Sequence, residues 1–166
     1  MAVSSDILRT YHAPRRVVRE KLANGEREDR ALATLIGACV LIFVAQWPLL
    51  SRQAYLDPSV PLDARMGGAL MGWLFIVPLA AYVIAAASHL LARLLGGRGT
   101  WFGARLALFW ALLAASPLWL LNGLVAGFIG PGAALNLVGL LAVAAFLLFW
   151  GAGLWEAERG EGARTA

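Results

Sequence analysis

The chain has 166 residues, of which 60% are hydrophobic and only 14% charged, whereas ordinary soluble domains carry about a quarter charged residues. That balance excludes a large water-soluble domain, because four spans of about 20 residues with short loops consume most of the length. The net charge of +4 does not point to nucleic acid, since the 14 Lys and Arg residues border hydrophobic blocks instead of crowding one soluble face.

Residues 1–30 form a charged tail with 12 charged residues and no apolar core of signal-peptide type. No cleaved signal is expected, and the first membrane helix should serve as an uncleaved insertion signal. Ser4, Ser5 and Asp6 are capping residues ahead of Ile7, Leu8 and Tyr11, and Pro14 breaks the pattern. Val17, Val18 and Leu22 then stand among Arg15, Arg16, Arg19 and Lys21 as far as Asn24-Gly25. The stretch reads as a short basic amphipathic helix on the cytoplasmic leaflet, where each basic residue near anionic lipid headgroups contributes about 1 kcal/mol. A disordered tail that only sets topology is the alternative.

Four long apolar blocks follow, at about Ala31–Leu50, Met66–Leu91, Ala104–Phe128 and Ala133–Trp155. Each is long enough to cross about 30 Å of hydrocarbon as a helix, and none alternates as a barrel strand would. The expected fold is an all-α polytopic bundle: a tail at 1–30, a four-helix membrane domain at 31–155 and a second tail at 156–166. Asp57-Pro58 with Pro61 punctuates the first outer loop, and Gly130-Pro131-Gly132 breaks the chain between the last two spans. Trp47, Trp101 and Trp155 fall near span ends, where indoles anchor among headgroups.

Orientation follows from the basic residues beside the spans, which are retained on the cytoplasmic side. One side has 12: seven in the first tail, Arg93, Arg98 and Arg105 around the loop after span two, and Arg159 and Arg164 at the end. The other side has only Arg52 and Arg65, offset by Asp57 and Asp63. Both termini are therefore expected in the cytoplasm. The preference for Arg over Lys, with abundant Ala, Gly, Leu and Trp, fits a GC-rich bacterial source and hence an inner-membrane location.

Candidate chemistry within the spans is sparse. His89 is the one histidine in a span, and an intramembrane ionisable group is a functional candidate by default; a neutral imidazole hydrogen-bonded to a neighbour is the plainer expectation. No carboxylate falls inside any expected span, which removes the raw material of paired-acid catalysis and of an acid relay. Ser88 beside His89 points about 100° away along a helix, so the two do not make a nucleophile and base. No His or Cys spacing suits a metal, Cys39 is expected to be a buried, inert thiol, and no cofactor is implied.

Gln46, Ser116, Asn122 and Asn136 are neutral polar residues, expected mainly as contacts between helices and otherwise as a polar path that includes His89. Gly68 and Gly72, like Gly123 and Gly127, put small residues on one helix face, suited to packing within the bundle or to self-association. Pro78 and Pro117 should kink spans two and three, leaving the Leu74 and Leu113 carbonyls in need of partners, with Asn122 or Ser116 the candidates for Leu113.

Three features together resemble the bacterial branch of the Yip-one domain family, the Ypt/Rab-interacting-protein-like membrane proteins. They are the basic entry Ala13-Pro14-Arg15-Arg16-Val17-Val18, the outer segment leading into the Gly-rich second span, and the loop Gly96-Gly97-Arg98-Gly99-Thr100-Trp101-Phe102 leading to Ala115-Ser116-Pro117. The resemblance runs from about Pro14 to Leu154 and departs from the family's usual five spans, since Ala104–Trp155 holds two. It implies a non-enzymatic integral membrane protein, associated in eukaryotes with small-GTPase partners and vesicle membranes, a role that does not transfer to bacteria. The expected role is membrane organisation, complex assembly or partner binding, by way of Arg15, Arg16 and Arg19 and of Gly96, Gly97, Arg98 and Gly99. The competing expectation is a small transporter or pore with a neutral polar path between kinked helices.

Overall fold

The computed structural model describes residues 3–159. Every regular element among them is helical: α1 (Val3–His12), α2 (Pro14–Ala23), α3 (Glu28–Leu56), α4 (Leu62–Met71), a five-residue π turn (Gly72–Ile76), α5 (Val77–Leu94), α6 (Trp101–Phe128) and α7 (Ala133–Glu158). α4, the π turn and α5 form one continuous rod, so four helices are long and apolar enough to cross a membrane. In hydrocarbon every backbone N–H and C=O must be satisfied within the segment, which leaves these Ala- and Leu-rich stretches no other regular structure. Arg164 and the rest of the expected C-terminal tail beyond Arg159 lie outside the described residues.

The helices outrun the hydrophobic blocks that generate them. The 28 residues of α6 extend about 42 Å at 1.5 Å per residue, against about 30 Å of hydrocarbon. α3 likewise starts at Glu28 and passes through Pro48 to Leu56, six residues beyond the apolar block that ends at Leu50. At the end of the bundle away from the tail, Arg52 donates to the Gly127 carbonyl at 3.2 Å and marks one interface. Counting about 20 residues back from there along α6 places the other near Ala107. α6 and α7, with 28 and 26 residues, are therefore each several residues longer than a crossing requires.

α6 is the hub. Half of its most apolar stretch is buried inside the protein, against 11% for the rod Leu62–Leu94, which therefore turns most of its surface to lipid. Phe109 and Trp110 are fully buried, Phe109 with Leu35, Cys39 and Ala85, and Trp110 with Val17, Val18, Ala38 and Phe149. α3 and α6 come closest at the outer end, where Gly123 lies against the Ala45 carbonyl and Gly127 against Pro48. Gly68 and Gly72 have the same spacing and the opposite fate: a Cβ at either meets nothing. The second span instead reaches α6 through buried Ala81, Ala85, Ser88 and His89.

The two proline sites are handled differently. The π turn stands immediately ahead of Pro78, and the Val77 N–H reaches back to the Gly72 carbonyl, one residue farther than an α-helix would. That change of register falls where the proline ring removes a donor and crowds the carbonyl four residues back. At Pro117 the helix continues without a register change, and the hydroxyl of Ser116 donates to the Leu113 carbonyl at 2.8 Å, supplying the partner that Pro117 withholds.

α1 and α2 fold back on each other around Ala13, with Arg9 on Glu20 at 2.8 Å and Lys21 on Asp6 at 3.0 Å. The apolar side of α2 does not face lipid. Val17 and Val18 are 1% exposed against α3, α6 and α7, so protein covers the stripe that an interfacial helix would give to the bilayer.

Candidate functional site

The charged chemistry of the chain converges at the tail-side end of the bundle. α7 continues one turn beyond Trp155 to Glu158, so two carboxylates, Glu156 and Glu158, are presented by the end of a membrane helix and are buried. Both acids follow the expected span, which ends at Trp155, so the span itself still carries none. The helix outlasts the hydrophobic block, and its final turn lies outside hydrocarbon, where ionised groups are tolerated.

Glu158 ties the second span and the following loop to α7. Its Oε1 is 2.6 Å from Nδ1 of His89, which is 1% exposed, and its Oε2 accepts the Gly99 N–H at 3.1 Å. An ionised carboxylate accepts on both oxygens, and opposite it His89 is the Nδ1–H tautomer. The Glu158 carbonyl accepts the Arg98 N–H at 2.9 Å, and the Trp101 ring packs against His89 with centroids 4.5 Å apart. A hydrogen bond to a charged group contributes about 1.5–3 kcal/mol, and more is lost if one buried partner is removed.

The glycine-rich loop is built to receive that carboxylate. Gly96 has φ +90 and ends α5: its N–H bonds to the Arg93 carbonyl, and that of Gly97 to the Ala92 carbonyl at 2.8 Å, the Schellman arrangement. A Cβ on Gly97 would sit 2.7 Å from Oε2 of Glu158, and one on Gly99 would strike the Ala157 carbonyl. Thr100 then caps α6 by accepting the Gly103 N–H at 3.1 Å. Gly97 and Gly99 are thus turned inward against α7, and the loop shows solvent its Arg98 and Trp101 side chains.

Glu156 ties the hairpin to the same helix end. Arg19 donates to its Oε1 at 2.6 Å, an interaction that holds the guanidinium above its already high ordinary pKa. The hairpin is fastened a second time at Trp110, whose Nε1 donates to Oγ1 of Thr10 at 3.0 Å. Lys21 lies over the same indole, 3.7 Å from the ring centroid. Thr10 passes its own proton to the Asp6 carbonyl at 2.7 Å. Arg105 pairs with Glu28, joining the starts of α6 and α3.

The remaining sequence candidates do not gather with these groups. His89 is at the tail-side end, while Asn122 lies in the outer half of α6, its Oδ1 3.3 Å from where a Cβ of Gly139 would be. That Oδ1 is buried without a hydrogen-bond partner. Gln46 is half-buried on α3, beside the Ala45 carbonyl that Gly123 meets. Asn136 stands in the first turn of α7, its N–H on the Gly132 carbonyl. Ser88 turns its hydroxyl to the Ala85 carbonyl at 2.8 Å, so the His89–Glu158 pair has no nucleophile in Ser88. Among the described residues no group of three or more His, Cys, Asp or Glu is placed to hold a metal.

Residues 8–166 match the family model of the Yip1 domain, which takes in α2, the four long helices and the loop between α5 and α6. The chain belongs to the Yip1 domain family. No curated protein and no solved structure matches it. The Yip1 domain here is a multi-pass helical membrane protein of a non-enzymatic family. Its most elaborate polar structure is the clasp at the end of α7. Sequence reasoning missed Glu156, Glu158, Thr10, Lys21 and Trp110 as a connected set. The available signal was the glycine-rich loop itself, denser in glycine than a simple turn requires, on the same expected side as the two acids.

Proposed function

We propose that this Yip1 domain is a non-catalytic protein of the bacterial inner membrane that organises or assembles other membrane components through a cytoplasmic cap. The cap is the α1–α2 hairpin, the loop Gly96–Phe102 and the end of α7. The observation that carries the reading is the clasp: Glu156 holds Arg19 and Glu158 holds His89 and Gly99, so three separate segments form one presented surface. The basic residues fall 12 to 2 on this side, which supports a cytoplasmic cap and both termini inside. The division into a tail at 1–30, a membrane domain at 31–155 and a tail at 156–166 belongs to the same reading.

Crosslinking in cells followed by gentle-detergent purification of the full chain tests it. A reproducible membrane partner or a defined self-oligomer is expected, and a strictly solitary protein refutes it. Single-cysteine labelling in the tail and in the loop 57–61 tests the orientation, with protection of the tail in intact cells expected.

A transporter or pore is the second reading, favoured by the unpartnered Oδ1 of Asn122. It requires liposome flux that Asn122→Leu or His89→Ala abolishes; absence of flux across a panel of solutes removes it.

A further inference from the structure

Where α1 turns into α2, an open groove of about 580 Å³ is lined by His12, Arg15, Arg16, Arg19 and Glu20, among others. Three arginines and a histidine face one carboxylate there, and that carboxylate is already shared with Arg9 at 2.8 Å and Arg16 at 3.3 Å. The hydrogen bonds of Arg9 and Arg16 hold Glu20 below the usual carboxylate range, so it does not become a neutral lining at ordinary pH. Arg15 and Arg16 are exposed, and Arg19 keeps more than half of its side chain in the open while bound to Glu156. The groove carries surplus positive charge that its own residues do not neutralise.

Its position specifies what neutralises it. Tyr11, one residue before the groove, packs edge-on against Phe149 of α7 with ring centroids 5.0 Å apart. Arg19 of the lining reaches Glu156, about one turn past Gly153, where a crossing of about 20 residues counted from Ala133 ends, so the groove opens at the level of the headgroups. On α7, Leu141 and Leu148 are exposed two turns apart, leaving apolar surface on that helix for an acyl chain. Arg159 lies over the Trp155 ring at 5.1 Å, adding a cation at the same level. A soluble anion would use the arginines alone, whereas an anionic phospholipid uses the arginines and the apolar face together.

We propose that the α1–α2 groove is a binding site for the phosphate of an anionic phospholipid headgroup, held by Arg15 and Arg16 with His12 beside them and with Arg19 shared between lipid and Glu156. The site deepens the reading of the cap as a membrane-organising surface and rests on it for its cytoplasmic placement. Arginine suits the task because its planar fork donates two parallel hydrogen bonds to phosphate oxygens.

The full chain is reconstituted in nanodiscs of phosphatidylcholine with a minor fraction of phosphatidylglycerol, extracted gently, and the retained lipids are counted by native mass spectrometry. Wild type is expected to retain phosphatidylglycerol preferentially, and Arg15→Gln with Arg16→Gln to lower that preference by roughly ten- to thirtyfold. The charge-conserving pair Arg15→Lys and Arg16→Lys keeps the charge but not the planar fork and is expected to retain an intermediate preference. Equal retention by wild type and the Gln pair overturns the site. So does displacement of the lipid by millimolar inorganic phosphate, since the groove would then take phosphate without a lipid. Crosslinked partners are scored on the same wild-type samples: partners without lipid preference refute the groove alone, and lipid preference without partners refutes the organising role alone.

Discussion

Replacing Glu158 with Ala should unfasten the second span from α7 while leaving the four spans in place. The side chain is 8% exposed and accepts from His89 at 2.6 Å and from the Gly99 N–H at 3.1 Å. Truncation deletes a charge-assisted bond and strands a buried imidazole N–H and a backbone N–H, which together cost about 3–5 kcal/mol. Glu158→Gln keeps the shape and one acceptor oxygen and should cost about 1–2 kcal/mol. The assay is reversible SDS unfolding of the purified chain in mixed micelles. It is read alongside the exposure of the 95–100 loop to protease, because the Glu158 side chain holds the Gly99 N–H, while the Arg98 N–H stays on the retained backbone carbonyl. His89→Ala in both backgrounds completes a double-mutant cycle, in which contacting groups of this kind couple by at least about 1 kcal/mol. A Glu158→Ala cost below about 0.5 kcal/mol with an unaltered cleavage pattern, or additive effects of the two substitutions, would refute the clasp.

Three further outcomes follow from the same geometry. Gly123→Ala and Gly127→Ala drive a methyl into the Ala45 carbonyl and Pro48 and should each cost about 1–3 kcal/mol in SDS unfolding, whereas Gly68→Ala and Gly72→Ala, which meet nothing, should stay within about 0.5 kcal/mol of wild type. Trp110→Phe removes the donor to Thr10 and most of the surface under Lys21, so hydrogen exchange in α1 and α2 should quicken, with a stability loss of about 1 kcal/mol. Glu20 is held below its ordinary pKa by Arg9 first and Arg16 second; its contribution is complete above the unfolded carboxylate pKa and is lost as pH falls through the lower folded value. Hairpin amides should therefore exchange faster, relative to those of α6, only when pH drops below about 4, and Glu20→Gln should shrink that step, leaving the part carried by the Glu156–Arg19 pair.

The four spans were legible because hydrocarbon thickness imposes their length, and a run such as Ala133–Trp155 meets that demand visibly. Their ends were not, because hydropathy loses its signal where lipid stops, and Glu156 and Glu158 belong to the turn beyond. The amphipathic stripe of Val17, Val18 and Leu22 was legible as a stripe. Whether protein or lipid covers it was not, since both are apolar and the pattern is the same. Gly68 and Gly72 share their spacing with Gly123 and Gly127, yet only the second pair meets a neighbouring backbone; spacing records that a close approach is possible, and the neighbour's position decides whether it happens. The loop at 96–100 was legible as a turn, but the reason for Gly97 and Gly99 lies some 60 residues away in α7.

The two ends of the bundle are held by different physics, and the difference follows from the solvent each end meets. Inside hydrocarbon, helices gain nothing from excluding water, so α3 and α6 are brought together by small residues that permit close packing, at Gly123 and Gly127. Beyond the tail-side limit, α6 and α7 project into a region of water and headgroups, where their apolar flanks would be wetted and where charges are affordable. The hairpin packs Val17 and Val18 onto α6 and α7 beside Trp110 and Phe149, and buried carboxylates at the end of α7 fix the hairpin and the loop through paired partners. A helix that ended at Trp155 would have neither acid to offer. The extra turn of α7 is therefore what converts four membrane-crossing helices into a protein with one shaped surface at its basic end.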